Sequence, residues 1–170
     1  MAGKPQRAIG ISVHTGWGAC VVVGGSLAKP EIVANERIEI LGDSERFCFH
    51  MAAEMKRPAA ERFLARIREK AVANAKAALA PFIAQAGTCG IVAKTGEPGT
   101  LDQVLASHPR IHTAEGIFYR DVLLEVCAVP AQVVPPASLD VSKVGKLAPP
   151  PWGRDQRLAA LAAWRVLGRG

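Results

Sequence analysis

The sequence predicts an α/β domain of three layers, a mixed five-stranded sheet in the order 3-2-1-4-5 with helices on both faces. Three observations predict it: two short apolar runs joined by a glycine turn near the start, a long amphipathic helix further on, and two later apolar runs, each reached through a helical segment. Closely spaced strands pair antiparallel. Strands separated by a helix pair in parallel through a crossover.

Ala8 to Val13 reads as the first strand and Gly18 to Val23 as the second, both nearly continuous in apolar residues, as strands covered on two faces are. His14-Thr15-Gly16-Trp17 is the turn between them, with Gly16 available for a positive φ. The third strand, about Glu31 to Leu41, alternates Ile32, Ala34, Ile38 and Ile40 with polar residues, the mark of a more exposed edge. In Arg46 to Met55, Phe47, Phe49 and Met51 alternate but helical composition follows, so the stretch takes no assignment.

Pro58 to about Ala86 is the long helix. Phe63, Leu64, Ile67, Ala71, Ala75, Ala78, Leu79, Phe82 and Ile83 recur at helical spacing, Pro81 should kink its end and Gly87 should stop it. Thr88 to Lys94 is a fourth strand, a short helix begins near Thr100, and another runs from about Ala114 to Cys127. Thr113 would cap that helix, with Gly116 allowing a neighbouring backbone to come close. Gln132 to Val134 is the fifth strand, and a Pro-rich linker leads to a last helix, Asp155 to Leu167.

At 170 residues, 49% hydrophobic and 21% charged, the chain fits one ordinary globular domain spanning residues 1–170. The basic start and the apolar Ala8 to Val13 superficially resemble a secretion signal. His14 and the Gly16-Trp17-Gly18 turn interrupt it before an apolar core of about 7–15 residues is complete. No run approaches the ~18 apolar residues of a membrane span. The expectation is a cytoplasmic protein with no membrane partner. Cys20, Cys48, Cys89 and Cys127 form no CxxC pair, so they read as reduced thiols rather than a structural zinc site.

The net charge of +6 is unevenly spread. From Glu54 to Lys76 there are seven basic residues against three acidic ones, with Arg62, Arg66 and Lys70 spaced by four beside the apolar face of the long helix. Such a stripe suits a polyanion, and it is equally the solvated side of a helix. Lys143, Lys146, Trp152 and Arg154 combine charge with an aromatic ring, suited to phosphate contact and base stacking, although Trp152 could instead plug the core beneath the final helix.

Ile9-Gly10-Ile11-Ser12-Val13-His14-Thr15-Gly16-Trp17-Gly18, the fourth strand, Gln132-Val133-Val134-Pro135-Pro136 and the run Arg154 to Ala162 together resemble the ribonuclease-H-like superfamily, and within it the bacterial Holliday-junction resolvases. The resemblance covers the order of elements along nearly the whole chain. It implies a three-layer ribonuclease-H-like fold and phosphodiester hydrolysis by two divalent ions, Mg²⁺ or Mn²⁺, held by carboxylates. At the first of those carboxylate positions this chain has Ser12, with His14 two residues on. At the second it has Lys94, with Glu97 three residues later. Only Asp155, heading the last helix, matches.

The expected site therefore gathers Ser12, His14, Lys94, Glu97 and Asp155 at the carboxyl ends of the central strands, where ligands of open sheets bind. His14, Glu97 and Asp155 would hold a metal there, with Ser12 beside them. The other reading makes Ser12 and His14 hydrogen-bonded turn residues and Asp155 a helix N-cap. Thr15-Gly16-Trp17-Gly18 also resembles the phosphate-binding hairpin of sugar-kinase and actin-like ATPases, whose glycine amides cradle phosphate. Arg110, His112 and Glu115 in the His108 to Glu115 cluster suit an acidic ligand or acid–base chemistry near neutral pH, or else cap a helix from a surface loop.

The functional expectation is a nucleic-acid-binding or processing protein with a divergent metal site, a nuclease if it cleaves. The alternatives are a non-catalytic, homodimeric interaction module and a small phosphate or nucleotide binder.

Overall fold

The structure, a computed structural model, describes residues 6–144 and 152–169, so Lys146 lies outside the described residues. Its sheet has five strands in the order β3-β2-β1-β4-β5. β1 (Ala8–Val13), β2 (Trp17–Gly25) and β3 (Pro30–Glu39) form the antiparallel meander, and β4 (Thr88–Val92) and β5 (Ala131–Val134) add to β1 in parallel. The expected order and directions hold.

The turn between β1 and β2 closes with the His14 N–H donating to Trp17 O at 2.9 Å, and Gly16 takes a φ of +87°. The Gly16 carbonyl accepts the N–H groups of Ile40 and Leu41. Those two residues therefore leave the ladder, and β3 stops at Glu39 rather than reaching Leu41.

The stretch that took no assignment holds a short helix, α1 (Cys48–Ala53). The long helix, α2 (Arg57–Ile83), buries Ala60, Phe63, Ile67, Ala71, Ala75, Leu79 and Phe82, the expected face. It ends at Ile83 rather than Ala86, and Gly87 does not stop it: its N–H is drawn off to Arg7 O at 2.9 Å. After β4, a capping box of Thr100 and Gln103 starts α3 (Leu101–Leu105).

The next helix, α4 (His108–Val126), begins six residues before the expected Ala114, with Pro109 in its first turn. Thr113 is thus interior, donating its hydroxyl to Pro109 O, and is not a cap. Gly116 faces open space, so no neighbouring backbone comes close there. The last helix, α5 (Arg154–Val166), has Gly153 at its N-cap and Asp155 in its first turn, which corrects the N-cap reading of Asp155.

The two faces are packed differently. Ile9, Ile11, Cys20 and Val22 point to one side, where Phe63, Ile67 and Leu79 of α2 and Tyr119, Val122 and Leu123 of α4 complete a thick core. Ala8, Val21 and Val23 point to the other, against Ala159, Ala160 and Ala163 of α5. There Gly10 and Gly90, paired across β1 and β4, let α5 lie directly on the sheet: a Cβ on Gly10 would come within 1.7 Å of Ala159 O, and one on Gly90 within 2.7 Å of Ala162 O. Trp152 is half-buried against this α5 core, the packing rather than the stacking role.

Candidate functional site

Strand alternation places Ser12 and His14 on the same side as Gly10, the side covered by α5. The glycine seat brings the first turn of α5 down over the carboxyl end of β1. Asp155 consequently meets both: its Oδ1 accepts from the Ser12 hydroxyl at 3.4 Å and lies 2.8 Å from His14 Nε2. That nitrogen is buried and makes no aligned hydrogen bond, so the contact to Asp155 is close but off-axis. His14 stacks on Trp17 with ring centroids 4.3 Å apart and planes 7° from parallel, and the Arg37 guanidinium sits 4.0 Å from the Trp17 ring. The acid at the head of α5 thus meets a hydroxyl and an imidazole, and the imidazole is backed by a cation-bearing aromatic stack.

Lys94 and Glu97 occupy the exposed loop after β4, in which Gly96 and Gly99 adopt positive φ. Arg120 of α4 ties that loop down, donating to Lys94 O at 3.1 Å and Gly96 O at 3.2 Å. Glu97 does not join His14 and Asp155. Among the described residues, the one group of three potential ligands whose donor atoms lie within 4.8 Å of one another is His50, His108 and His112. Between the loop and α4 lies a cleft of about 460 Å³, lined by Val13, Lys94, Thr95, His112, Thr113 and Gly116 among others.

The remaining expected residues are scattered. Arg62, Arg66 and Lys70 are exposed on α2, across the sheet from Asp155, and Lys70 pairs with Glu45. Arg154 is exposed at the start of α5, while Lys143 lines a separate groove beside Trp164 and Arg165. Thr15 is half-buried, and Gly16 is buried beneath Leu41 and Arg46. The 108–115 cluster is the first half of α4 rather than a loop, with Glu115 buried and His112 exposed. Sequence reasoning missed His50, which lies in the unassigned stretch, and Arg120. The i, i+4, i+7 spacing of His108, His112 and Glu115 was the available signal for one polar stripe on a helix.

Two solved structures of Thermus thermophilus RuvC share this architecture. One, in complex with a Holliday junction substrate, superposes with a TM-score of 0.55 at 12% identity, covering 94% of this chain and 90% of that one. The other gives a TM-score of 0.52 at 13% identity, covering 94% and 92%. The chain has a ribonuclease-H-like fold. No protein-family model and no curated protein sequence matches it. At such identity the likeness concerns the path of the backbone. The residues of the ribonuclease-H-like sheet must make their own case, and among the described residues the carboxylate in contact with His14 and Ser12 at the end of β1 is Asp155, while Glu97 stands apart in the loop after β4.

Proposed function

We propose that the protein binds nucleic acid across the carboxyl ends of β1 and β4 and the head of α5, without two-metal hydrolysis of the phosphodiester. The observation that carries this reading is the Ser12–His14–Asp155 cluster, set where open α/β sheets bind ligands and bordered by Lys94, Arg154 and the Trp17–Arg37 stack. The net charge of +6 and the exposed cations favour phosphate. The RuvC structure bound to a Holliday junction gives the fold a precedent for such a ligand.

A pair of Mg²⁺ or Mn²⁺ ions does not fit these residues. Both ions prefer several hard oxygen ligands, and the site presents one carboxylate whose Oδ1 already contacts Ser12 and His14. Ser12 supplies only a neutral hydroxyl, Lys94 brings a like charge, and Glu97 stays apart.

The test is a gel-shift series with linear, single-stranded and branched DNA and RNA, with and without Mg²⁺ or Mn²⁺. The expected result is a salt-sensitive shift without cleavage. Asp155→Asn separates the two chemistries. If Asp155 only repels phosphate, removing its charge tightens binding, by about threefold to tenfold at an effective dielectric between protein and water. Weaker binding of Asp155→Asn, or metal-dependent cleavage that it abolishes, would overturn the reading. Absence of any shift would direct attention to a homodimeric interaction module on the same sheet.

A further inference from the structure

The second polar cluster lies on the other side of the sheet, between α1 and α4. His108, His112 and Glu115 stand at i, i+4 and i+7 of α4, one stripe on one helix face, and His50 of α1 meets that stripe from across the gap. The His108 and His112 Nε2 atoms are 2.9 Å apart, and the His50 ring centroid lies 4.7 Å from that of His112 and 5.1 Å from that of His108. Beneath them Glu115 is only 1% exposed.

Glu115 explains why His50 sits where it does. Its Oε1 accepts the His50 backbone N–H at 3.2 Å and stands 2.8 Å from the ring Nδ1. The first contact satisfies one of the unpaired amides at the start of α1, which has no cap of its own. The second fixes the ring: with Nδ1–H donating to the buried carboxylate, the lone pair is left on Nε2, and one ring nitrogen from each of His50, His108 and His112 lies within 4.8 Å of the others. A carboxylate behind an imidazole is the arrangement that orients histidine ligands in metal sites.

We infer that His50, His108 and His112 form a three-histidine site for one divalent transition ion of the Zn²⁺ class, with Glu115 as the buried carboxylate that positions His50. Imidazole nitrogen suits Zn²⁺, Co²⁺ or Ni²⁺ far better than Mg²⁺, so this site selects a different ion from the one a two-metal nuclease uses. A tetrahedral ion with Zn–N bonds of about 2.0–2.1 Å holds neighbouring nitrogens about 3.4 Å apart. His108 and His112 reach that spacing by opening about half an ångström, and both are exposed side chains free to do so. Three protein ligands leave a fourth position for water or an oxygen anion. His112 also lines the cleft beside Lys94 and Thr95, so the three-histidine site adjoins that cleft. The ion would also tie α1 to α4.

The inference is independent of nucleic-acid binding and is tested without it. The chelator-treated protein is titrated with Zn²⁺ by calorimetry and with Co²⁺ by visible absorption. The expected results are one ion per chain and the intense absorption of a four-coordinate Co²⁺ centre. His108→Ala and His112→Ala replace exposed side chains, so circular dichroism should be unchanged while affinity falls at least a hundredfold. Glu115→Gln keeps an acceptor for α1 but loses the charge behind His50, and should weaken binding about tenfold to a hundredfold. No binding by the parent protein, or equal binding by a folded His108→Ala/His112→Ala double variant, would overturn the site.

Discussion

The two faces of the sheet solve the same packing problem in opposite ways. Under α2 and α4, large side chains such as Ile9, Ile11, Phe63, Leu79 and Tyr119 interdigitate and hold the helices away from the strands. Under α5, Gly10 and Gly90 meet Ala159 and Ala162, and backbone rests almost on backbone. The thick face can absorb a lost methyl group by local collapse, whereas the thin one has no room to gain a single atom. Each face also carries its polar cluster by its own device. The close approach of α5 delivers Asp155 onto Ser12 and His14, and the wedge between α1 and α4 holds the histidines over Glu115.

The sharpest way to break this contrast is Gly10→Ala. The added Cβ would lie 1.7 Å from Ala159 O, a collision with backbone that only displacement of the whole helix relieves. The expected loss exceeds about 4 kcal/mol in denaturant unfolding, the range reserved for disruption of a core. A loss near 1 kcal/mol would mean that α5 does not rest on Gly10, and the seating of Asp155 would fall with it. On the thick face the comparable change runs the other way. Leu79→Ala removes a fully buried side chain and should cost about 2–5 kcal/mol, depending on how far α2 settles into the space. If Leu79→Ala were the costlier, the thin face would be the tolerant one and the contrast would be reversed.

What the sequence made legible follows from the same difference. The strand order, the α2 face and the run of small residues in α5 each leave a local signature: apolar runs, helical spacing, a string of alanines. Asp155 and Ser12 could be placed together because element order alone brings the head of α5 to the end of β1. His50 could not be placed, because Phe47, Phe49 and Met51 alternate as a strand would, and α1 owes its start to Glu115, 65 residues away. The beginning of α4 was hidden for a related reason. Between His108 and Thr113 only Ile111 is buried, so the apolar spacing that marks a helix does not appear until Ala114, and Pro109 looked like loop rather than first turn. Local patterns show elements that bury a regular face, and they miss elements whose ends are completed by a distant side chain.

The thiols sharpen the comparison most gently, since Cys20, Cys48 and Cys89 are all buried in the thick face and Cys127 is half-buried against it. Burial pushes the Cys20 and Cys48 thiols up to about 12, which keeps them protonated and unreactive. Cys127 goes the other way, down to about 7, chiefly through its pairing with Cys89, and the same pairing, with burial, raises Cys89. In the folded protein Cys127 should therefore react first with iodoacetamide, its rate rising through a midpoint near pH 7. Cys89→Ala removes the partner and should move that midpoint upward, toward an ordinary thiol, at little cost in volume. Its linkage to stability has a defined sign. The depressed pKa of Cys127 contributes stability above the unfolded thiol value of about 9 that is lost as the pH falls through about 7, and the raised pKa of Cys89 opposes it above about 9. The pair should thus favour the folded chain most near pH 9, by an amount that Cys89→Ala abolishes. A Cys127 midpoint that does not move in Cys89→Ala would mean that its neighbour on β4 is not what holds the Cys127 thiol down.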